Sequence, residues 1–224
     1  MSVQFFRRLT ASLLVVPMVL ALGLPTPGIA AATIASPRPS YFGTTEVENT
    51  RIEPFTKWTG MLARFHGEEV ADRAGCTPSP ILPCFHTDWL KLLAKLGNRP
   101  VAEQLDVVNR TMNRSPYITD PVNWGVADYW ATPDQFFRKD GDCEDYAIAK
   151  YMSLRRLGFS ADDLRIVVLQ DLNLGVPHAV LIVFVKGEAM LLDNQITDVI
   201  PASAVHHYKP IYSINEKAWW FHKG

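Results

Sequence analysis

Cys143, His178 and Asp193 are the side chains whose types and spacing could act together on a substrate. Cys143 lies in Gly141-Asp142-Cys143-Glu144-Asp145-Tyr146, where a loop gives way to a helical pattern running to Leu157 and closing at Gly158. A thiol at a helix N-terminus faces backbone N–H groups that lack intrahelical partners, at the positive end of the dipole. Both features favour a thiolate and any oxyanion formed beside it. The chemistry this suggests is attack on a carbonyl by sulfur. His178 would take and return the proton, and Asp193 would fix the imidazole tautomer. The Cys143 backbone N–H is one candidate oxyanion donor, and the indole of Trp124 or Trp130 is a candidate for the second.

The His–Asp pairing can be tested on the sequence. Arg165 to Asp171, His178 to Val185 and Glu188 to Asp193 read as strands, and Lys186-Gly187 as a hairpin turn. With the turn centred there, His178 opposes Gln195 and Val180 opposes Asp193. Alternation then puts His178 and Asp193 on one face as diagonal neighbours, roughly 7–8 Å apart between backbones. Gln195 is the fallback orienter. His206-His207 is a weaker competitor for the base, and His66, His86 and His222 lack a strand-and-carboxylate context.

The acidic residues around the thiol are open to two explanations. Two unit charges 4 Å apart interact by about 1 kcal/mol in water and about 4 kcal/mol at an effective dielectric of 20. As ~1.36 kcal/mol is one pKa unit, Asp142, Glu144 and Asp145 should oppose thiolate formation. A Ca²⁺ ion bound by these carboxylates would cancel the penalty. Equally, Asp142 as N-cap and Asp145 as its N3 partner would stabilise the helix start with no metal.

The elements that must position these residues follow along the chain. Phe5 to Arg8 is a short basic region, Leu13 to Leu24 an apolar run, and Gly28 to Ala32 a small-residue cleavage region, so residues 1–32 read as a signal peptide. An uncleaved anchor is the alternative. The apolar run is shorter than the ~20 residues of a stable span, and no later segment qualifies. Residues 33–53, rich in Pro, Ser and Thr, are expected to be a flexible lead-in, and 54–224 a single domain. In an exported, oxidising compartment Cys76 and Cys84 are candidates for a disulfide, which leaves Cys143 unpaired. Helical spacing marks Thr87 to Leu96 as a core helix, and a second, starting at Pro100 and carried by Val101, Leu105, Val108 and Met112, is expected to end near Ser115-Pro116. Pro116 to Pro133 is an aromatic loop carrying Tyr117, Trp124, Tyr129 and Trp130, suited to wall a cleft or fill a core. Ile211 to Ile214 is expected to add a fourth strand before Trp219-Trp220-Phe221. Helices first and an antiparallel sheet second is an α+β pattern. The formal net charge of -1 gives no sign of a nucleic-acid partner.

Three segments carry a resemblance to the bacterial transglutaminase-like cysteine proteinases, and within them to the LapG-type periplasmic proteases that release biofilm adhesins. They are Asp128-Tyr129-Trp130-Ala131-Thr132-Pro133, Gly141-Asp142-Cys143-Glu144-Asp145-Tyr146-Ala147, and His178-Ala179-Val180-Leu181 followed by Leu192-Asp193-Asn194. The resemblance spans about Pro54 to Asn215. It implies a papain-like/transglutaminase-like α+β fold with N-terminal helices packed on an antiparallel sheet. It also implies a triad matching Cys143, His178 and Asp193, with Ca²⁺ held by Asp142, Glu144 and Asp145. The implied substrate is the N-terminal region of a large surface adhesin, and the implied partner an inner-membrane receptor for cyclic di-GMP. Beside this expectation stand an acyl-transferase or amidase on the same fold, and a non-catalytic calcium-binding module.

Overall fold

The structure, a computed structural model, describes residues 38–72 and 85–224. Cys76, Cys84 and the leader at 1–32 lie outside the described residues. No described helix is long and apolar enough to cross a membrane.

Six helices precede most of the sheet: α1 (Thr56–Asp72), α2 (Phe85–Leu96), α3 (Val101–Met112), α4 (Asp120–Asn123), α5 (Pro133–Lys139) and α6 (Cys143–Arg156). Seven strands form one antiparallel sheet: β1 (Thr45–Asn49), β2 (Leu164–Asp171), β3 (Val176–Val185), β4 (Glu188–Leu192), β5 (Ile200–Pro201), β6 (Tyr208–Ile214) and β7 (Trp219–Lys223). Their spatial order is β1-β7-β6-β2-β3-β4-β5. This is the expected α+β class.

The sheet is buried on both faces, which is why β2 and β3 read as continuous apolar runs rather than as alternating ones. On one face α6 lays Ile148, Tyr151 and Leu154 against Ile166, Leu181 and Val183, with Trp58 and Met61 of α1 joining them. Each such side chain contributes on the order of 1.5–3 kcal/mol by leaving water. On the other face Val167, Leu169, Val180 and Ile182 pack under Tyr41, Val205 and Tyr208. The central strands therefore fix α6 against β3, and with it the relative positions of residues 143 and 178.

The β3–β4 hairpin adopts the expected register, with Leu181 opposite Leu192 and Val185 opposite Glu188. Lys186 (φ 50°) and Gly187 (φ 84°) take the left-handed conformations of a two-residue turn. α5 starts with a capping box. The Thr132 side chain accepts from the Gln135 N–H, and the Gln135 side chain accepts from the Thr132 N–H.

The lead-in expected at 33–53 is corrected where it is described. Tyr41 is buried, and Thr45–Asn49 pairs with Trp219–Lys223 as an edge strand. The polar residues that suggested a loop here serve a buried network. Glu46 accepts from Tyr41 (2.7 Å), Ser213 (3.1 Å) and Arg165 (3.2 Å), and the Arg165 guanidinium lies 3.3 Å from the centroid of the Trp220 ring. A polar strand is stable at an edge when its inward side chains are satisfied in this way.

Candidate active site

The loop before α6 is shaped by Gly141. A Cβ there would come within 2.3 Å of Asp145 Oδ2, so only glycine lets the Asp145 side chain fold back under the loop. The Gly141 carbonyl accepts from the Ile118 N–H at 2.9 Å, and Gly141 bridges Tyr117, which ties the aromatic loop to the nucleophile's own segment. Cys143 is the first residue of α6 and lines a cleft of about 540 Å³ together with His178, Trp130, Tyr117, Asp142 and Glu144.

His178, near the start of β3, is buried, and its Nε2 lies 3.0 Å from Asp193 Oδ1. A carboxylate only accepts, so Nε2 carries the proton and Nδ1 is the nitrogen left for the sulfur. Asp193 follows β4 directly. Its Oδ1 also accepts from the Gln195 backbone N–H (2.9 Å), its Oδ2 accepts from the Tyr208 hydroxyl (2.6 Å), and its carbonyl accepts from the Asn113 amide (2.7 Å). Burial alone would raise the Asp193 pKa. The bond to His178, its charge and the bonds from Tyr208 and Gln195 outweigh burial and hold it below the ordinary carboxylate range. Tyr208 is a functional residue the sequence reading missed, because an isolated Tyr at the start of β6 carries no motif. Gln195 contributes its backbone, and His207 packs on Tyr208 at 4.5 Å between ring centroids.

The sulfur is held in its thiol form. Burial, then the charge and acceptor oxygen of Glu144, then Asp142, push the Cys143 pKa far up, and Sγ lies 3.1 Å from Glu144 Oε2. The helix dipole, expected to favour thiolate, is outweighed first by burial and then by the two carboxylates beside the thiol.

The capping explanation of the acidic cluster is not realised: Asp142 is the N-cap of α6 but makes no side-chain cap bond. Its Oδ2 accepts instead from the Asp120 N–H at 3.2 Å. The carboxylates that converge are Asp120, Asp142 and Glu144, with ligand atoms all within 4.8 Å of one another. Asp120, which the sequence reading did not name, thus stands beside Asp142 and Glu144. Asp145 is fully buried, and its Oδ1 accepts from the Ala131 N–H at 2.7 Å. Asp120 lies 22 residues upstream of Asp142 in the chain, beyond the reach of a local motif.

The converging group fits a hard cation. Asp120 Oδ1 and Asp142 Oδ1 are buried without a hydrogen-bond partner among the described residues, and oxygen donors alone are offered. Burial raises all three acids, Asp120 to about 6, and the charge of neighbouring carboxylates, Asp128 among them, adds to it. Lys57 pairs with Asp128 at the edge of the same cleft. Of the indoles, Trp130 lines the cleft, whereas Trp124 stacks on Tyr129 (4.5 Å between centroids) under Lys139.

A cysteine opening a helix, facing a strand that carries a carboxylate-held imidazole, defines a cysteine protease of the papain-like/transglutaminase-like class. The comparisons sharpen this. Residues 85–222 match the Bacterial transglutaminase-like cysteine proteinase BTLCP family, and the chain belongs to it. It is similar to solved structures of LapG from Legionella pneumophila. One is 38% identical, covers 60% of this chain and 76% of that chain, and superposes with a TM-score of 0.55. A calcium-bound form of LapG matches with 38% identity, the same coverage and a TM-score of 0.56. An EGTA-treated form matches with 38% identity and a TM-score of 0.56, covering 62% and 76% of the two chains. No curated protein sequence matches. The chain is therefore a LapG-type cysteine protease, which sets aside a non-catalytic module.

Proposed function

We propose that this protein is a Ca²⁺-dependent endopeptidase of the periplasm that cuts the N-terminal region of a large surface adhesin and so controls biofilm attachment. The observation that carries the catalytic part is the shared cleft of Cys143 and a His178 already oriented by Asp193 and Tyr208.

In the reaction, the Cys143 sulfur gives its proton to His178 Nδ1 and bonds to the carbonyl carbon of the scissile peptide. The C=O electron pair moves to oxygen, which the Cys143 backbone N–H faces. As the oxyanion collapses, the C–N bond breaks and His178 protonates the leaving amine. Water then attacks the thioester carbon while giving a proton to His178; the C–S bond breaks, the new carboxyl terminus of the cut peptide leaves, and His178 returns the proton to sulfur. Asp193 stays ionised throughout and stabilises the imidazolium.

Asp120, Asp142 and Glu144 would hold the calcium ion. A bound ion would supply positive charge that offsets the carboxylates, and Glu144 as its ligand would accept less strongly from the thiol. Export, the adhesin substrate and capture by an inner-membrane cyclic di-GMP receptor rest on the LapG-type resemblance.

Mature protein incubated with exported adhesin fragments from its own host, with any cut mapped by mass, is the direct test. Cys143→Ala should fold normally and abolish cleavage; persistent cleavage would end the nucleophile assignment. Cleavage unaffected by a chelator would remove calcium from the proposal.

A further inference from the structure

Two large apolar side chains stand bare on the sheet face that floors the catalytic cleft. Phe221 of β7 and Val47 of β1 are each nearly half exposed and lie directly opposite one another. They end a single cross-strand row. Ala179 pairs with Val168, Val168 with Tyr212, Tyr212 with Phe221, and Phe221 with Val47. Directly opposed residues share a face, so these side chains form one path from β3 to the β1 edge.

The inner end of the row belongs to the cleft: Ala179, Val168 and Tyr212 line it beside Cys143 and His178. α6 packs over β2 and β3, and Phe55, just before α1, covers Tyr212 and Trp219 at 5.0 and 5.2 Å between ring centroids. Phe221 and Val47 lie beyond this cover. The row cannot turn over, because the opposite face of the same strands is committed. There Glu46 accepts from Tyr41, Ser213 and Arg165, and the Trp220 indole donates to Glu48. A single exposed apolar residue is ordinary, but a continuous apolar path leaving a catalytic cleft has the form of a ligand groove.

The direction of the path selects the half of the substrate it takes. His178 must meet the leaving nitrogen, so the leaving half lies toward Asp193 and β4. β2, β6, β7 and β1 follow one another on the other side of β3, and the acyl half departs that way. Strands stand about 4.8 Å apart, so Val168 to Val47 spans about 14 Å, the length of roughly four extended residues.

We propose that this row is a docking strip for the acyl half of the substrate: an extended polypeptide segment, N-terminal to the scissile bond, whose apolar side chains settle on Tyr212, Phe221 and Val47. This deepens the protease reading and takes its direction from the Cys143–His178 assignment.

With saturating Ca²⁺, the protein is treated with chloromethyl ketones of Leu-Leu-Leu-Ala-Ala and of Ser-Ser-Ser-Ala-Ala, and alkylation of Cys143 is timed by mass. Covering the exposed ring should make the leucine probe react about ten-fold faster than the serine probe. In Phe221→Thr, which keeps a strand-forming side chain, the ratio of the two rates should fall towards one. Equal rates in the wild type, or a ratio that survives Phe221→Thr, overturn the proposal. A second arm needs no chemistry and no change in the strip. Acetyl-Leu-Leu-Leu-Ala-Ala-amide added to Cys143→Ala protein should shift the NMR signals of Val47, Tyr212 and Phe221. Unmoved signals overturn the strip, whereas shifted signals beside an unreactive Cys143 uphold it and fault the nucleophile assignment alone. A dimer that Phe221→Thr dissolves, with no preference between the probes, would hand the row to a second copy of the chain and overturn the proposal.

Discussion

At the residue scale, the acids around Cys143 set how stability should depend on pH. Asp120 is raised to about 6 and Asp145 to about 9, in each case by burial first; burial also leads in raising Asp142, with Glu144 next, and in raising Glu144, with the Asp128 charge behind it. A carboxyl whose folded pKa lies above its unfolded value of about 4 holds a proton that the unfolded chain releases, so stability falls as pH rises through that window. Metal-free protein should therefore lose melting temperature between about pH 4 and 9. Saturating Ca²⁺ should flatten that slope, and melting curves with and without chelator check it. Asp120→Asn should weaken Ca²⁺ binding in calorimetry at least ten-fold, whereas Asp145→Asn should chiefly lower stability. Equal effects of the two on calcium would return Asp145 to the ligand set. Tyr208→Phe removes one bond to Asp193; if about 1.4 kcal/mol of that is lost in the transition state, kcat drops about ten-fold. The local motif around Cys143 was legible because Gly, Asp, Cys and Glu sit in consecutive positions. Asp120 and Tyr208 were not, since each joins the site only through the fold.

At the element scale, the site depends on a helix and a hairpin meeting in fixed register. The hairpin was readable from Lys186-Gly187 and the apolar runs on either side, and this was enough to bring His178 and Asp193 to one face. α1 was not anticipated: its sequence mixes Lys, Arg and Glu with Trp58, Met61 and Phe65, and its apolar stripe becomes evident only against the sheet. β7 was an aromatic tail in the sequence because Trp219, Trp220 and Phe221 are contiguous, yet alternation buries Trp220 and exposes Phe221. Gly141 offers the sharpest test at this scale. Gly141→Ala forces a methyl against Asp145 and should cost about 1–3 kcal/mol in urea unfolding, with loss of activity from the displaced start of α6. A variant of wild-type stability would show that the Asp145 carboxylate is free to move.

At the scale of the whole molecule, sequence reading identified the α+β class from the order of helices and strands. It missed that a polar stretch near residue 45 closes the sheet, because edge strands lack a strong apolar signal. A chain beginning at Ile52 would lose Tyr41, Glu46 and the β1 ladder, leaving Arg165 and β7 exposed. It should unfold at a clearly lower temperature than a chain beginning at Arg38. The pairing of Thr45–Asn49 with Trp219–Lys223 also has a temporal meaning. Thr45–Asn49 must wait for Trp219–Lys223 to be delivered before its partner exists, so this step of folding is governed by a contact distant in sequence. A chain that has not yet delivered Trp219–Lys223 therefore has no closed sheet edge, and the finished enzyme exists only after that segment is in place.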